Sequence, residues 1–185
     1  MPDYSLIELH KVFESSKDFN EIFDAFQHAL TRRIDDLELY KQLCWNPSLS
    51  PDERCLFGEK LAKEFPDFAY EVFFWLANIF EVTHAMVDNF DLAMKYYSKA
   101  AGVRPHQPEP YLEAARCYEH DLKIPSLSFL IDFLKTGTHS VSDPKPLYHR
   151  LAELYELDGN DEMCGYYRRL AIAGANEEDD SGGAH

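Results

Sequence analysis

Residues that could do chemistry are spread along this sequence without a recognisable catalytic spacing. None of the eight histidines lies in an H-E-x-x-H or comparable pattern, and the chain has neither a G-x-S-x-G motif nor a phosphate-binding glycine loop. The best candidate is an acidic pair one helical turn apart, Glu153 and Glu156, with His149 nearby. Such a cluster could hold a divalent cation or transfer protons. Polar residues on a solvated helix face explain the pattern more simply, so we expect no enzyme activity, no metal and no cofactor.

The charge of the chain argues against nucleic acid as a partner. The 185 residues include 33 acidic and 18 basic side chains, which gives a formal net charge of −15. Nucleic-acid binding depends on clustered lysines and arginines that displace counterions from phosphates. The two basic pairs, Arg32-Arg33 and Arg168-Arg169, are therefore interpreted as solvated helix ends.

The cysteines and the hydropathy pattern indicate a cytoplasmic protein. Four cysteines lie in separate segments with no C-x-x-C spacing, which is typical of reduced and mostly buried thiols. They are Cys44, Cys55, Cys117 and Cys164. No segment approaches the roughly 18 uninterrupted apolar residues of a membrane span. We therefore expect a cytoplasmic localisation and no membrane partner.

Apolar residues follow a helical period in almost every patterned segment. In residues 20–39 they recur at steps of three and four, so they share one face. The stretch SPDE predicts a helix start, with Ser50 as the N-cap, Pro51 at the first helical position and Glu53 closing a capping box. Prolines fall between the helical patterns, and alternating segments long enough for a sheet are absent. The pattern predicts a succession of short helices packed as hairpins.

Three stretches of the sequence superpose as an internal repeat, each with a small or apolar pair between two aromatic residues. They are FFWLANIF, YLEAARCY and YHRLAELY, at residues 73–80, 111–118 and 148–155. Each is predicted to be a helix followed by a second helix, at residues 90–101, 126–136 and 161–173. Small residues at the closest approach let two helices pack tightly, and aromatic side chains fill the adjacent grooves. One pair cannot bury its own apolar face, so the pairs must stack.

This repeat resembles the tetratricopeptide repeat (TPR). In the second helix of the first repeat, Ala93, Tyr97, Ala100 and Pro105 have the spacing of that family. Gly159 of the third repeat stands at the position of the family's turn glycine. The repeats are longer than the family's usual length of about 34 residues, and the extra turn in the first is similar to the Sel-like variant. The second helix of the second repeat lacks the family's alanines.

The resemblance implies an all-α fold, a right-handed α-solenoid of stacked antiparallel helix pairs with about eight to nine helices. Residues 1–66 are expected to form two or three N-terminal helices, with room for one degenerate repeat. Three TPR-like repeats follow, at about residues 67–105, 108–140 and 144–174. The acidic segment at residues 175–185 is expected to be a disordered tail.

The resemblance also implies a non-catalytic protein-interaction module, such as a scaffold, adaptor or co-chaperone. In TPR arrays the first helix of each pair lines a concave groove that binds a peptide segment or a partner helix. The corresponding residues of this chain are Phe74, Asn78, Glu81, Leu112, Arg116, Glu119, His149, Arg150 and Glu153. Because this predicted groove is mostly acidic with a few apolar contacts, we expect a basic or amphipathic protein partner.

One known ligand type of the family is not expected. TPR domains that hold carboxyl termini of chaperones use a clamp of Lys, Asn, Asn, Lys and Arg. Asn78 and Arg150 match two of these positions, but Phe74, Glu113 and Pro146 occupy the others. A glutamate in the middle of such a clamp would repel a carboxylate ligand.

Two alternative functions stay open from the sequence. The chain could be a structural subunit that self-associates through a repeat end, because terminal repeats expose an apolar face unless they are capped. It would then form a weak homodimer rather than a monomer. A metal-dependent enzyme that uses Glu153, Glu156 and His149 is the less favoured alternative.

Overall fold

Ten α-helices and one 3₁₀ turn form the described part of the chain. The computed structural model describes residues 3–83 and 88–173, and the backbone within these ranges forms no β-sheet. The elements are α1 (Leu6–Ser15), α2 (Phe19–Thr31), α3 (Leu37–Trp45), α4 (Pro51–Glu64), the 3₁₀ turn Pro66–Phe68, α5 (Ala69–Val82), α6 (Asp88–Val103), α7 (Glu109–Arg116), α8 (Leu127–Thr138), α9 (Lys145–Leu157) and α10 (Asp161–Ala173). The predicted all-α class is confirmed. The predicted tail at residues 175–185 lies outside the described residues.

The helix count exceeds the predicted eight to nine, because residues 1–66 contain four helices rather than two or three. The apolar face in residues 20–39 belongs to two helices, α2 and α3. Between them Arg33 takes a φ of +51°, and Asp36 begins α3 by accepting a hydrogen bond from the amide of Leu39 at 3.0 Å. Apolar periodicity alone does not reveal this break, because the apolar residues keep their spacing on both sides of it.

The helices fall into two compact units, Met1–Ala85 and Met86–His185, and each is described by itself. The first contains α1 to α5 and the second contains α6 to α10. Their boundary lies within the first predicted repeat, whose two helices correspond to α5 and α6. The predicted repeat bounds stay predictions.

In the first unit, α1 packs on α2 and α3, while α4 packs on α3 and α5. Aromatic rings form the centre of the core. The ring of Phe26 in α2 lies edge-on to Phe57 of α4, with centroids 4.9 Å apart, and to Tyr40 of α3 at 6.5 Å. All three side chains are fully or almost fully buried. Residues 1–66 thus supply helices that pack around a shared aromatic core.

A set of buried hydrogen bonds links α1 to the turn between α3 and α4. The side-chain amide of Asn46 donates to the carbonyl of Phe13 at 2.9 Å and to that of Ser16 at 3.1 Å. The Asn46 carbonyl accepts from Nη2 of Arg54 at 2.7 Å. These bonds satisfy backbone carbonyls at helix ends that would otherwise be buried without a partner.

The predicted start of α4 is confirmed, and so is the predicted burial of most of the cysteines. Ser50 and Glu53 form the reciprocal capping box, in which the Ser50 amide donates to the Glu53 carboxylate at 2.7 Å. All four cysteines are free thiols, and three are buried. Burial raises the pKa of the Cys44 thiol to about 12. No described helix is long and apolar enough to cross a membrane.

In the second unit, consecutive helices pack on one another from α6 to α10, and α7 also packs on α9. The predicted packing residues Ala93 and Ala100 are fully buried in α6. Gly159 has a φ of +76° in the turn between α9 and α10, which confirms the predicted turn glycine. Helix α7 ends at Arg116 rather than at Tyr118, because the Cys117 amide closes a tight turn on the carbonyl of Ala114 at 3.2 Å.

Gly137 of α8 lies where this helix meets its neighbours. A Cβ atom added there would be 2.7 Å from Cδ2 of Leu147 in α9 and 2.9 Å from the ring of Tyr111 in α7. The Tyr111 ring is buried and packs on Phe133 with centroids 4.8 Å apart, so it has little room to move. Glycine at this position allows the close approach of three helices.

We expect Gly137→Ala to lower the free energy of unfolding by about 1–2 kcal/mol, because the steric cost of overpacking exceeds the gain in helix propensity. Gly102→Ala in α6 is the matched control, since a Cβ there meets nothing within 4 Å. The control is expected to be neutral or to gain up to about 1 kcal/mol. Urea denaturation of both variants measures this difference, and equal stability of the two would contradict the packing role.

Candidate partner-binding site

The second unit brings five of the nine predicted groove residues together. A concavity of about 390 Å³ lies between α7 and α9. Its lining residues are Leu112 and Arg116 from α7, and Pro146, His149, Arg150 and Glu153 from α9. Each set recurs at helical steps of three or four, so each helix presents one face to the concavity. We call this site the α7/α9 concavity.

Arg150 has a structural role in the α7/α9 concavity. Its Nη2 donates to the carbonyl of Ala115 at 2.7 Å, and its Nη1 donates to the carboxylate of Glu153. Because α7 ends at Arg116, the Ala115 carbonyl is one of the last-turn acceptors left without an intrahelical donor. The planar guanidinium of Arg150 therefore links α9 to the end of α7 and fixes their spacing. Its Nε is buried without a hydrogen-bond partner among the described residues.

Arg116 is the more accessible cation of the concavity. Its side chain is 64% exposed and donates to Glu113, three residues earlier on the same helix. An exposed ion pair of this kind contributes only a few tenths of a kcal/mol. The Arg116 guanidinium can therefore exchange Glu113 for an acceptor on a partner at little cost.

The charge of the concavity differs from the predicted acidic groove. Two arginines and a histidine line it beside a single carboxylate. Glu119 does not line the concavity, because it follows the end of α7 and its backbone amide pairs with the carbonyl of Ile124 at 2.7 Å. Glu156 accepts from Arg168 of α10 at 2.8 Å. The local surface is therefore amphipathic with available donors rather than acidic.

The remaining predicted residues belong to the first unit. Phe74, Asn78 and Glu81 lie at steps of four and three on α5, and all three are half-buried. The ring of Phe74 stacks on Tyr70 with centroids 5.9 Å apart and an interplanar angle of 5°. Their participation in one groove with α7 and α9 stays a prediction.

The structure does not assemble the acidic cluster considered for metal-dependent catalysis. The carboxylate of Glu153 accepts a hydrogen bond from Arg150 of its own helix. The carboxylate of Glu156 accepts one from Arg168 of α10. Among the described residues, no group of three or more His, Cys, Asp or Glu side chains is arranged to hold a metal ion.

Sequence reasoning missed a larger concavity in the second unit. A cleft of about 520 Å³ lies between α6 and the first turn of α8, and its apolar lining comes from Phe90, Met94, Ile124, Pro125 and Phe129. The available signal was the long connection before α8, at residues 117–126. Helix–helix connections usually have about 2–8 residues, and binding residues are found disproportionately on loops.

Comparisons with known proteins establish the fold. The sequence matches no protein-family model and no curated protein. The structure is similar to the crystal structure of MamA protein, with a TM-score of 0.55 and 13% identity over 97% of this chain and 99% of that chain. The chain has a TPR-like fold.

This TPR-like fold consists of helices that follow one another as antiparallel pairs, as the sequence resemblance implied. A second match is a thermophilic TPR protein in Thermus thermophilus, TTC0263, with a TM-score of 0.45 and 18% identity over 86% of this chain and 84% of that chain. At 13% identity, the likeness to MamA protein shows the fold alone.

The two arginines of the concavity are expected to differ in their effect on stability. Arg150→Ala removes the donor to the buried Ala115 carbonyl, so it should lower the free energy of unfolding by about 1–3 kcal/mol. Arg116→Ala removes only an exposed pair and should change it by less than about 0.5 kcal/mol. Chemical denaturation of both variants compares them directly. An Arg150→Ala variant as stable as Arg116→Ala would contradict the structural role of Arg150.

Proposed function

We propose that this chain is a non-catalytic protein-interaction module that binds a peptide segment or partner helix in the α7/α9 concavity. TPR-like folds generally serve as protein-interaction modules. The observation that supports this site is the convergence of five predicted groove residues on one concavity. Arg150 is already engaged by the scaffold, so the partner is contacted mainly by Leu112, Arg116 and His149.

The lining of the concavity favours an amphipathic partner segment. Leu112 and Pro146 offer apolar contacts, while Arg116 and the exposed His149 offer hydrogen-bond donors. A partner that places an apolar side chain on Leu112 and an acceptor on Arg116 satisfies both kinds of surface. The arginines at this site do not favour the basic partner expected from the sequence.

The alternative, self-association through the end of α10, receives less support. The corresponding position of three helices, eight residues after the N-cap, can be compared. It is Gly58 in α4 and Leu134 in α8, and both residues are buried. In α10 the same position is Arg168, which is 55% exposed and paired with Glu156 of α9. Ile172 and Tyr166 of α10 are 62% and 45% exposed, but this charged pair places polar groups on the exposed surface of the helix, which weakens an apolar self-association.

Affinity purification with the immobilised chain, followed by mass spectrometry, tests the proposal. We expect Arg116→Glu and Leu112→Asp each to reduce recovery of specific partners at least about tenfold, because each replaces a complementary contact with a repulsive or unpaired one. Arg169→Glu is the matched control, because this exposed arginine of α10 makes the same charge change outside the concavity.

The proposal fails if the partners are retained by the Arg116→Glu and Leu112→Asp variants and lost by Arg169→Glu. Light scattering tests the alternative. A chain that stays monomeric at high concentration excludes self-association, whereas a dimer that Arg169→Glu dissociates would support association through α10.

A further inference from the structure

The connection between α7 and α8 is unusual within this chain. It spans ten residues, 117–126, whereas three residues join α1 to α2, five join α3 to α4 and three join α9 to α10. The extra residues form a defined turn, in which the Glu119 amide donates to the Ile124 carbonyl at 2.7 Å and Lys123 has a φ of +54°. In repeat proteins, an insertion in one repeat is often placed on a binding face.

The extra residues form one wall of the 520 Å³ cleft. Ile124 and Pro125 of the connection face α6, and Phe129 of α8, which is 40% exposed, extends the same wall. Met94 of α6 lines the opposite side and is almost fully buried. Small-molecule pockets in proteins typically have volumes of about 300–1,000 Å³ and a mainly apolar lining. The cleft therefore has room for one or two large apolar side chains.

The charges around the cleft favour a basic partner. Asp91 is an exposed carboxylate at its rim, and it forms no hydrogen bond or ion pair with the described residues. Lys95, one turn later, is an exposed residue that also lines the cleft, but its Nζ lies 5.1 Å from the centre of the Tyr96 ring, which leaves Asp91 as the charge without a contact among the described residues. The net charge of −15 also attracts basic partners over longer distances.

We propose that this cleft is a second interaction site, separate from the α7/α9 concavity. It binds a partner segment that inserts an aromatic or branched aliphatic side chain between Met94 and Phe129. An adjacent arginine or lysine of that segment pairs with Asp91. The two sites use different helix faces of the second unit, so occupancy of one does not require the other.

Protein NMR with defined peptides tests this second site. The probe is an acetylated, amidated ten-residue peptide in which phenylalanine and leucine alternate with arginine. Two matched peptides replace either every arginine with glutamate or every apolar residue with serine. We expect the basic apolar probe to shift amide resonances of α6 and of residues 122–130, and both matched peptides to bind at least about threefold more weakly.

Variants of the cleft separate its two contacts. Asp91→Lys should weaken the basic apolar probe about threefold to tenfold, because an attractive exposed charge pair becomes repulsive. Ser98→Trp should place an indole in the cleft and abolish the shifts. Asp132→Lys is the control with the same charge change, since Asp132 is exposed on α8 and does not line the cleft.

Three outcomes would overturn the second site. They are no amide shifts with the basic apolar probe, shifts confined to α7 and α9, and equal weakening by Asp91→Lys and Asp132→Lys. Circular dichroism of each variant establishes that the helices remain folded. Because the readout is the location of the shifts, its failure does not affect the proposal for the α7/α9 concavity.

Discussion

The packing of this structure depends on a close approach between the second helix of one pair and the first helix of the next. In the first unit, a Cβ atom on Gly58 of α4 would be 2.5 Å from Cδ1 of Leu76 in α5. In the second unit, Gly137 of α8 meets Leu147 of α9 in a similar way. These glycines bring neighbouring pairs close enough for each pair to cover the apolar face that the other cannot bury alone. The spacing of the first helices, and hence the width of the α7/α9 concavity, depends on this contact.

The two ends of α7 illustrate how scaffold and site share residues. Tyr111 near its start packs against α8, while the carbonyl of Ala115 near its end requires a donor from another helix. Arg150 supplies that donor, so a residue that resembled a ligand-binding position is also an inter-helix contact. Arg116, which lies one residue beyond Ala115, remains exposed. The α7/α9 concavity thus contains one arginine that maintains the geometry and another that is available to a partner.

Much of the architecture could be predicted because its signals are local. The Ser50 capping box, the helix Asp161–Ala173 and the turn at Gly159 follow from residues that interact within a few positions of one another. The break between α2 and α3 was missed because the apolar spacing continues across Arg33. The 520 Å³ cleft was also missed, since the conformation of residues 117–126 depends on contacts with no repeating pattern.

The sequence by itself determined the helical class, the approximate positions of α5 to α10 and the buried alanines of α6, because helical period, capping and proline placement act over one or two turns. Only the tertiary structure decided which of the candidate site residues already form contacts within the fold. Arg150 and Ala115 are 35 positions apart, and their hydrogen bond exists only after α7 and α9 have packed. The same packing separates Glu153 from Glu156, since one is engaged within α9 and the other by α10. The charge available to a partner depends on which of these side chains already form hydrogen bonds within the fold.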